Sequence, residues 1–217
     1  MVGKFVLFEG INGSGKTTII NKLYEFYNNS YKNVVIFKFP DRTTPTGIII
    51  NKFLKNEYNF KNIYEQIELF SNNRKEKEND INYYLQNDYI ILCDRYTYSN
   101  IAYILTDQTL NILNTTSLNN SILNNSDSNF PKLNINSIYE YDINLPKPDI
   151  IFLINGDFIY LRNEIKERYH NDEIKNTLIF NNFILTFNQL NLNYFIINNK
   201  YNQLNDTVSK INDIILN

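Results

Sequence analysis

The sequence predicts an α/β domain built on a five-stranded parallel sheet, and three observations carry that prediction. Short β-branched or aromatic runs alternate with stretches of helical periodicity along the 217 residues, the pattern of a parallel sheet covered on both faces. The run Gly10-Ile11-Asn12-Gly13-Ser14-Gly15-Lys16-Thr17 matches G-x-x-x-x-G-K-[ST] in full. A strand-like apolar segment, Phe5–Phe8, precedes it, and Ile19, Ile20 and Leu23 follow at helical spacing, the context that separates a phosphate-binding loop from a chance string.

Strands are expected at Lys4–Glu9, Val34–Phe39, Tyr89–Asp94, Asp149–Asn155 and Asn193–Ile197. Helices are expected directly after the phosphate loop, over about Gly47–Lys55 and Ile63–Gln86, from near Ser99, and over Asp157–Arg168, Glu173–Leu190 and Gln203–Leu216. Asn62 with Glu65 three residues later reads as a capping box opening the longest of these. Between about Asn111 and Ser137 the chain becomes Asn/Ser/Thr/Leu-rich and loses both periods. Residues 111–137 are therefore expected to form a flexible surface insertion within one domain spanning 1–217.

Composition narrows the function classes. A formal net charge of −2 argues against coating nucleic acid, so any anion site must be built from a few placed cations. The single cysteine, Cys93, lies in an apolar run and reads as a structural thiol; no disulfide framework or cysteine zinc site is possible. The chain enters its first strand almost at once and has no apolar stretch of spanning length, so a cytoplasmic protein without a membrane partner is expected. Asparagine is unusually abundant and reads as nucleotide bias, not as function.

The loop motif specifies its chemistry. Glycines let successive backbone N–H groups turn inward around phosphate oxygens, and the following helix adds its positive N-terminal end. Lys16 supplies a mobile charge for β- and γ-phosphates, and the Thr17 hydroxyl suits Mg²⁺. Asp94-Arg95 closes the third strand at the sheet edge that holds this loop, where a carboxylate can hold Mg²⁺ through water and a guanidinium can fork onto phosphate. Arg42 follows Phe39-Pro40-Asp41 at the same edge, in a turn stiffened by proline. Phe70 and Arg74, four residues apart, share one helix face with Ile63 and Ile67. That spacing suits either an aromatic core stripe or a planar base lying on the ring beside the guanidinium. Lys75, Glu76, Lys77 and Glu78 read as a solvated face, and His170 as an exposed bystander.

Taken together, EGINGSGKTT, FPDRTTPTG, ELFSNNR, DRYTYSNIAY, LPKPDIIFL and ERYHND resemble, in the same order, the corresponding blocks of the thymidylate kinase family. The resemblance covers nearly the whole chain except the Asn-rich segment and the C-terminal end. It implies a three-layer P-loop kinase fold with a five-stranded parallel sheet flanked by helices, a homodimer, and transfer of the γ-phosphoryl group of ATP to dTMP with Mg²⁺. Residue by residue it implies ATP contacts from Asn12, Gly13, Ser14, Gly15, Lys16, Thr17, Thr18 and Arg162, and Mg²⁺ held by Thr17 and Asp94. Phe70 would stack on thymine, Arg74 would bond its carbonyl edge, and Arg42 and Arg95 would hold the acceptor phosphate. Ser99 would lie by the base and Tyr103 under the sugar, with Asn12, Asn100 and Tyr169 also at dTMP. The resemblance makes Lys16, Arg42, Asp94, Arg95 and Arg168 the catalytic set, and a lid over about 160–173 would bring a cation from Arg162, Lys166 or Arg168.

The family pattern is departed from in three ways. Asn12 replaces the usual carboxylate that accepts from the sugar 3′-hydroxyl, and Gly13 and Ser14 stand where eukaryotic members carry a basic residue. Asn100 replaces a glycine, a change that a left-handed turn would tolerate. Two other readings compete. A deoxynucleoside kinase would need a carboxylate base, for which Asp41 is the candidate, and a catalytically silent nucleotide-binding paralogue would fit Asn12 and Gly13.

Overall fold

A computed structural model describes residues 3–30, 32–119, 133–156, 173–200 and 202–216. Five strands, β1 (Lys4–Glu9), β2 (Val34–Lys38), β3 (Ile90–Asp94), β4 (Ile150–Asn155) and β5 (Phe195–Asn198), form one sheet in the order β2-β3-β1-β4-β5. Every pairing is parallel. The five expected strands are all present, β1 with the expected bounds and no end of the others shifted by more than two residues.

Residues along β1 alternate between two cores, and both are apolar, which is why the strand reads as a continuous apolar run. Phe5 and Leu7 join a cluster with Ile67 of α3 (Ile63–Lys75), Ile81 of α4 (Glu78–Gln86), Ile101 and Ala102 of α5 (Thr97–Asn119), and Phe183 and Phe187 of α7 (Glu173–Gln189). Val6 and Phe8 face the other way, onto Ile19, Ile20 and Leu23 of α1 (Lys16–Asn29) and Ile211 and Ile215 of α8 (Leu204–Leu216). Helix, sheet, helix is the resulting layer order. A smaller third cluster, from Ile50, Phe53 and Leu54 of α2 (Pro45–Leu54), packs beside Leu69 and Phe70.

The expected helix over Ile63–Gln86 is two helices, broken at Glu76-Lys77. Both residues are tied down: Thr46 Oγ1 donates to Glu76 Oε2 at 2.8 Å, and Lys77 Nζ lies 3.6 Å from Asp41 Oδ2. The charged run is thus part of a tertiary junction and not simply a solvated face. The break lets α3 keep Asn73 and Arg74 buried while α4 turns Ile81 into the core. Asn62 caps α3 by accepting from the Glu65 amide at 2.9 Å, but the Glu65 carboxylate accepts from the Lys61 amide and the Tyr58 hydroxyl, so only half of the expected box forms.

The Asn-rich segment also differs from expectation. Helix α5 continues into it as far as Asn119; the turns before the segment are tied to α7 by an Asn182-to-Thr106 hydrogen bond of 2.9 Å and a Lys175–Asp107 pair at 3.3 Å, while Ile112 and Leu113 are exposed. At the segment's other end, Leu133, Ile135 and Ile138 are buried, and Asn134 and Ser137 form a reciprocal capping box for α6 (Ile135–Tyr139). Composition hid both: the Asn-rich stretch carries no helical period, and an Asn134–Ser137 cap is a less distinctive local signal than one closed by Glu or Gln. A short 3-10 turn, Glu140–Asp142, follows α6. The helix expected over 157–168 and most of the lid lie outside the described residues.

Candidate active site

The carboxyl ends of β1, β2 and β3 open at one sheet edge, and the chain delivers a different group from each. After β1, the loop reaches α1 through Gly15, whose left-handed backbone (φ 88°) is conformationally cheap only for glycine. Lys16 folds over this loop, its Nζ donating to the carbonyls of Gly10 (3.1 Å) and Ile11 (2.6 Å) and to Ser14 Oγ (3.1 Å). Asn199, beyond β5, buttresses the loop by donating to the Ser14 carbonyl at 3.0 Å. Thr17 Oγ1 donates to Asp94 Oδ2 at 2.7 Å, which brings a hydroxyl and a carboxylate from two elements together. Among the described residues no cluster of three or more His, Cys, Asp or Glu side chains exists, so any cation here would rely on this hard oxygen pair plus water and phosphate oxygens. That donor set suits Mg²⁺, which keeps several waters and binds few protein ligands.

After β2, Gly47 allows the turn to close: a Cβ there would come within 1.8 Å of the Asp41 carbonyl oxygen. Asn73 clamps the same turn, accepting from the Asp41 amide at 2.8 Å and donating to the Asp41 carbonyl at 2.9 Å. Arg42 is exposed and donates to Asn51 at 3.0 Å. Partial burial works against ionisation of Asp41, but hydrogen bonds from Thr43 and the nearby Lys77 cation hold its carboxyl below the usual range.

After β3, Arg95 adopts a left-handed backbone (φ 69°), uncommon for a residue with a side chain. Two hydrogen bonds fix it there: its amide donates to the Phe8 carbonyl at 3.0 Å, and the next amide, of Tyr96, donates to Glu9 Oε1 at 3.0 Å. The guanidinium donates to the Gly10 carbonyl (2.8 Å), Ser99 Oγ (3.1 Å) and Asn12 Oδ1 (2.6 Å), and lies 5.5 Å from the Tyr103 ring centroid. Asn100 lies inside α5, so no left-handed tolerance is needed; Arg95 is the residue that takes that conformation. Cys93 is buried, as a structural thiol should be, and its surroundings push its pKa well up.

One cavity of about 940 Å³ gathers these groups. Its lining includes Asn12, Gly13, Ser14, Gly15, Lys16 and Thr17 of the loop together with Arg42, Phe70, Arg74, Asp94, Arg95, Ser99, Asn100 and Tyr103. Thr18, in the first turn of α1, is exposed and does not line it. Arg162, Lys166, Arg168, Tyr169 and His170 lie outside the described residues. Phe70 is half-buried, edge-on to Phe53 at 6.3 Å between ring centroids. Arg74 Nε and Asn100 Nδ2 are buried donors with no partner among the described residues. Both residues line the same cavity as Phe70.

A family model for thymidylate kinase matches residues 8–130. The chain belongs to the thymidylate kinase family. Its sequence is 36% identical to the thymidylate kinase of Plasmodium falciparum over 162 residues, 74% of this chain and 65% of that protein. It is 34% identical to that of Dictyostelium discoideum over 154 residues, 70% and 58% of the two chains. Those matches therefore span under two thirds of either relative. A thymidylate kinase structure from Candida albicans superimposes with a TM-score of 0.73 at 26% identity, covering 98% of this chain and 91% of that one. The expected P-loop kinase fold of the thymidylate kinases is thus the observed one.

Two residues that support this family member's cavity from behind its lining went unassigned in the sequence. Glu9, the last residue of β1, is fully buried; it accepts from the Tyr96 and Ser99 amides and from the Ser99 hydroxyl at 2.5 Å. Burial pushes its carboxyl up to about 7 against the pull of Arg95, Ser99, Tyr96 and Lys16. An acid directly before a phosphate-binding glycine was the available signal. Asp142 binds Arg74 from the 3-10 turn after α6, and nothing in its local sequence announces that contact.

Proposed function

We propose that this chain is an ATP-dependent thymidylate kinase that transfers the γ-phosphoryl group of ATP to dTMP, giving dTDP and ADP. One observation carries the reading: a single cavity is lined by a phosphate loop with its lysine and by Arg42, Arg95 and the half-buried ring of Phe70. A phosphate loop, two further arginines and an aromatic ring in one cavity suit a reaction between a nucleoside triphosphate and a nucleoside monophosphate.

The acceptor is already an anionic oxygen, so the protein needs to align it and neutralise charge more than to remove a proton. Arg95 and Arg42 would grip the acceptor phosphate, and Lys16 would leave its loop carbonyls for the β- and γ-phosphates. Phe70 would stack on thymine while Arg74 and Asn100 present donors to its edge, and Tyr103 would crowd the sugar face where a 2′-hydroxyl projects. Thr17 and Asp94 would hold Mg²⁺, which when bound neutralises charge on the transferred group. A cation from Arg162, Lys166 or Arg168 would complete the donor side. Homodimerisation and a cytoplasmic location belong to the same proposal and rest on the family resemblance. No described helix is long and apolar enough to cross a membrane.

The deoxynucleoside kinase alternative is poorly served by this geometry. Asp41, its candidate base, is engaged by Thr43 and Lys77 and held in its weakly basic form. The test is a panel: purified protein with ATP and Mg²⁺ against nucleosides and monophosphates, followed by ADP release. Turnover should be greatest with dTMP; preferential turnover of thymidine would overturn the reading in favour of a nucleoside kinase, and turnover of neither would make the chain a binding protein.

A further inference from the structure

We propose that Asp142 is a positioning residue of the acceptor site, which fixes the Arg74 guanidinium and cancels its charge so that this part of the cavity takes a neutral, carbonyl-bearing base and not a second phosphate. The inference rests on the reading of the cavity's Phe70 end as the base site.

The geometry separates two kinds of arginine in one cavity. Arg74 and Asp142 form an ion pair at 2.5 Å, with each side chain only 3% exposed. The other carboxylate oxygen of Asp142 accepts from Ser71 Oγ at 2.7 Å, and the same hydroxyl lies 2.8 Å from the Tyr141 carbonyl, so the acid is itself held from α3. Ser71 and Arg74 stand three residues apart on that helix, and the carboxylate bridges them. Arg95 is built differently. Its guanidinium donates to neutral oxygens of Gly10, Asn12 and Ser99, and the Asp94 and Glu9 carboxylates act on it through space without forming an ion pair with it, so its charge is offset less directly than that of Arg74.

A guanidinium already paired with a carboxylate offers its remaining N–H groups as donors without presenting net charge. Arg74 Nε is such a group, buried and unpartnered among the described residues. The pair therefore suits a carbonyl oxygen, whereas Arg95 suits phosphate. The bond also makes the 3-10 turn after α6 part of the base site's support, although that turn contributes no cavity-lining residue.

The experiment uses thymidine, which carries the base without the phosphate, and compares its binding with that of ATP by calorimetry in the wild-type protein, Asp142→Asn and Ser71→Ala. Asp142→Asn should weaken thymidine by about tenfold or more, the scale of a lost charge-assisted hydrogen bond, and leave ATP within about twofold. Ser71→Ala keeps the ion pair but loosens the acid, and should give a smaller loss of about two- to fivefold, again for thymidine alone. It also keeps the test decisive if Asp142→Asn does not fold. Parallel weakening of both ligands, or unchanged thymidine binding in whichever variants fold, overturns the role of Asp142. A wild-type protein that binds neither thymidine nor dTMP instead overturns the base-site reading itself.

Discussion

Glu9 Oε2 accepts the Ser99 hydroxyl at 2.5 Å while Glu9 Oε1 accepts the Ser99 amide at 3.1 Å, so the last residue of β1 grips the first turn of α5 with both oxygens. Arg95, Ser99, Asn100 and Tyr103 all sit on or just before that turn and the next, and their placement depends on this carboxyl.

The grip has a pH signature. In the folded protein the Glu9 carboxyl titrates at about 7, against 4.5 for an unperturbed one, with burial the largest cause. Between those values the folded state holds a proton that the unfolded chain has released, so stability falls as pH rises through the window and levels above about 7. The cost of ionisation should total about 3 kcal/mol. Urea unfolding across about pH 5 to 8 should show this decline in the wild-type protein and a flatter profile in Glu9→Gln; an identical slope in both would assign the decline to another group.

Replacing Arg74 by alanine leaves Asp142 as a buried acid without its cation. Unfolding free energy should drop by about 3–5 kcal/mol, and Arg74→Ala/Asp142→Ala should recover a substantial part of that loss. If the double variant is as unstable as the sum of the two single ones, the pair is not coupled, and its 2.5 Å contact carries no stability.

Lys16→Ala should leave far-ultraviolet circular dichroism unchanged and cut phosphoryl transfer by more than tenfold, since one transition-state charge contact is worth at least ~1.4 kcal/mol. The lysine's present partners are two carbonyls and a hydroxyl of its own loop, contacts that can be exchanged for phosphate oxygens. Retained activity in the ADP-release assay would remove this loop from the reaction.

Gly47→Ala probes the turn that carries Arg42. The added methyl would meet the Asp41 carbonyl oxygen at 1.8 Å, so the turn must shift, at a cost of about 1–3 kcal/mol. The KM for dTMP should rise with that shift more than the KM for ATP, because Asp41-Arg42 borders the acceptor end. A midpoint in urea equal to that of the wild-type protein would show that the turn relaxes freely.

Much of this protein was fixed locally and so could be read from its sequence. The glycine loop, the five strands and the Phe70/Arg74 spacing are statements about neighbours in the chain, where backbone freedom and side-chain periodicity act directly. The same holds for the order of groups at the sheet edge, because a parallel sheet sends the ends of β1, β2 and β3 to one side. Tertiary structure alone decided the rest. It extended α5 to Asn119 beyond turns anchored on α7, broke α3 from α4 where Glu76 and Lys77 meet Thr46 and Asp41, and pushed the Glu9 carboxyl up to about 7. It also joined Arg74 to Asp142 across 68 positions of sequence. Burial and ion pairing are properties of what surrounds a side chain in space, and a pairing that distant leaves no periodic mark on the sequence at either partner.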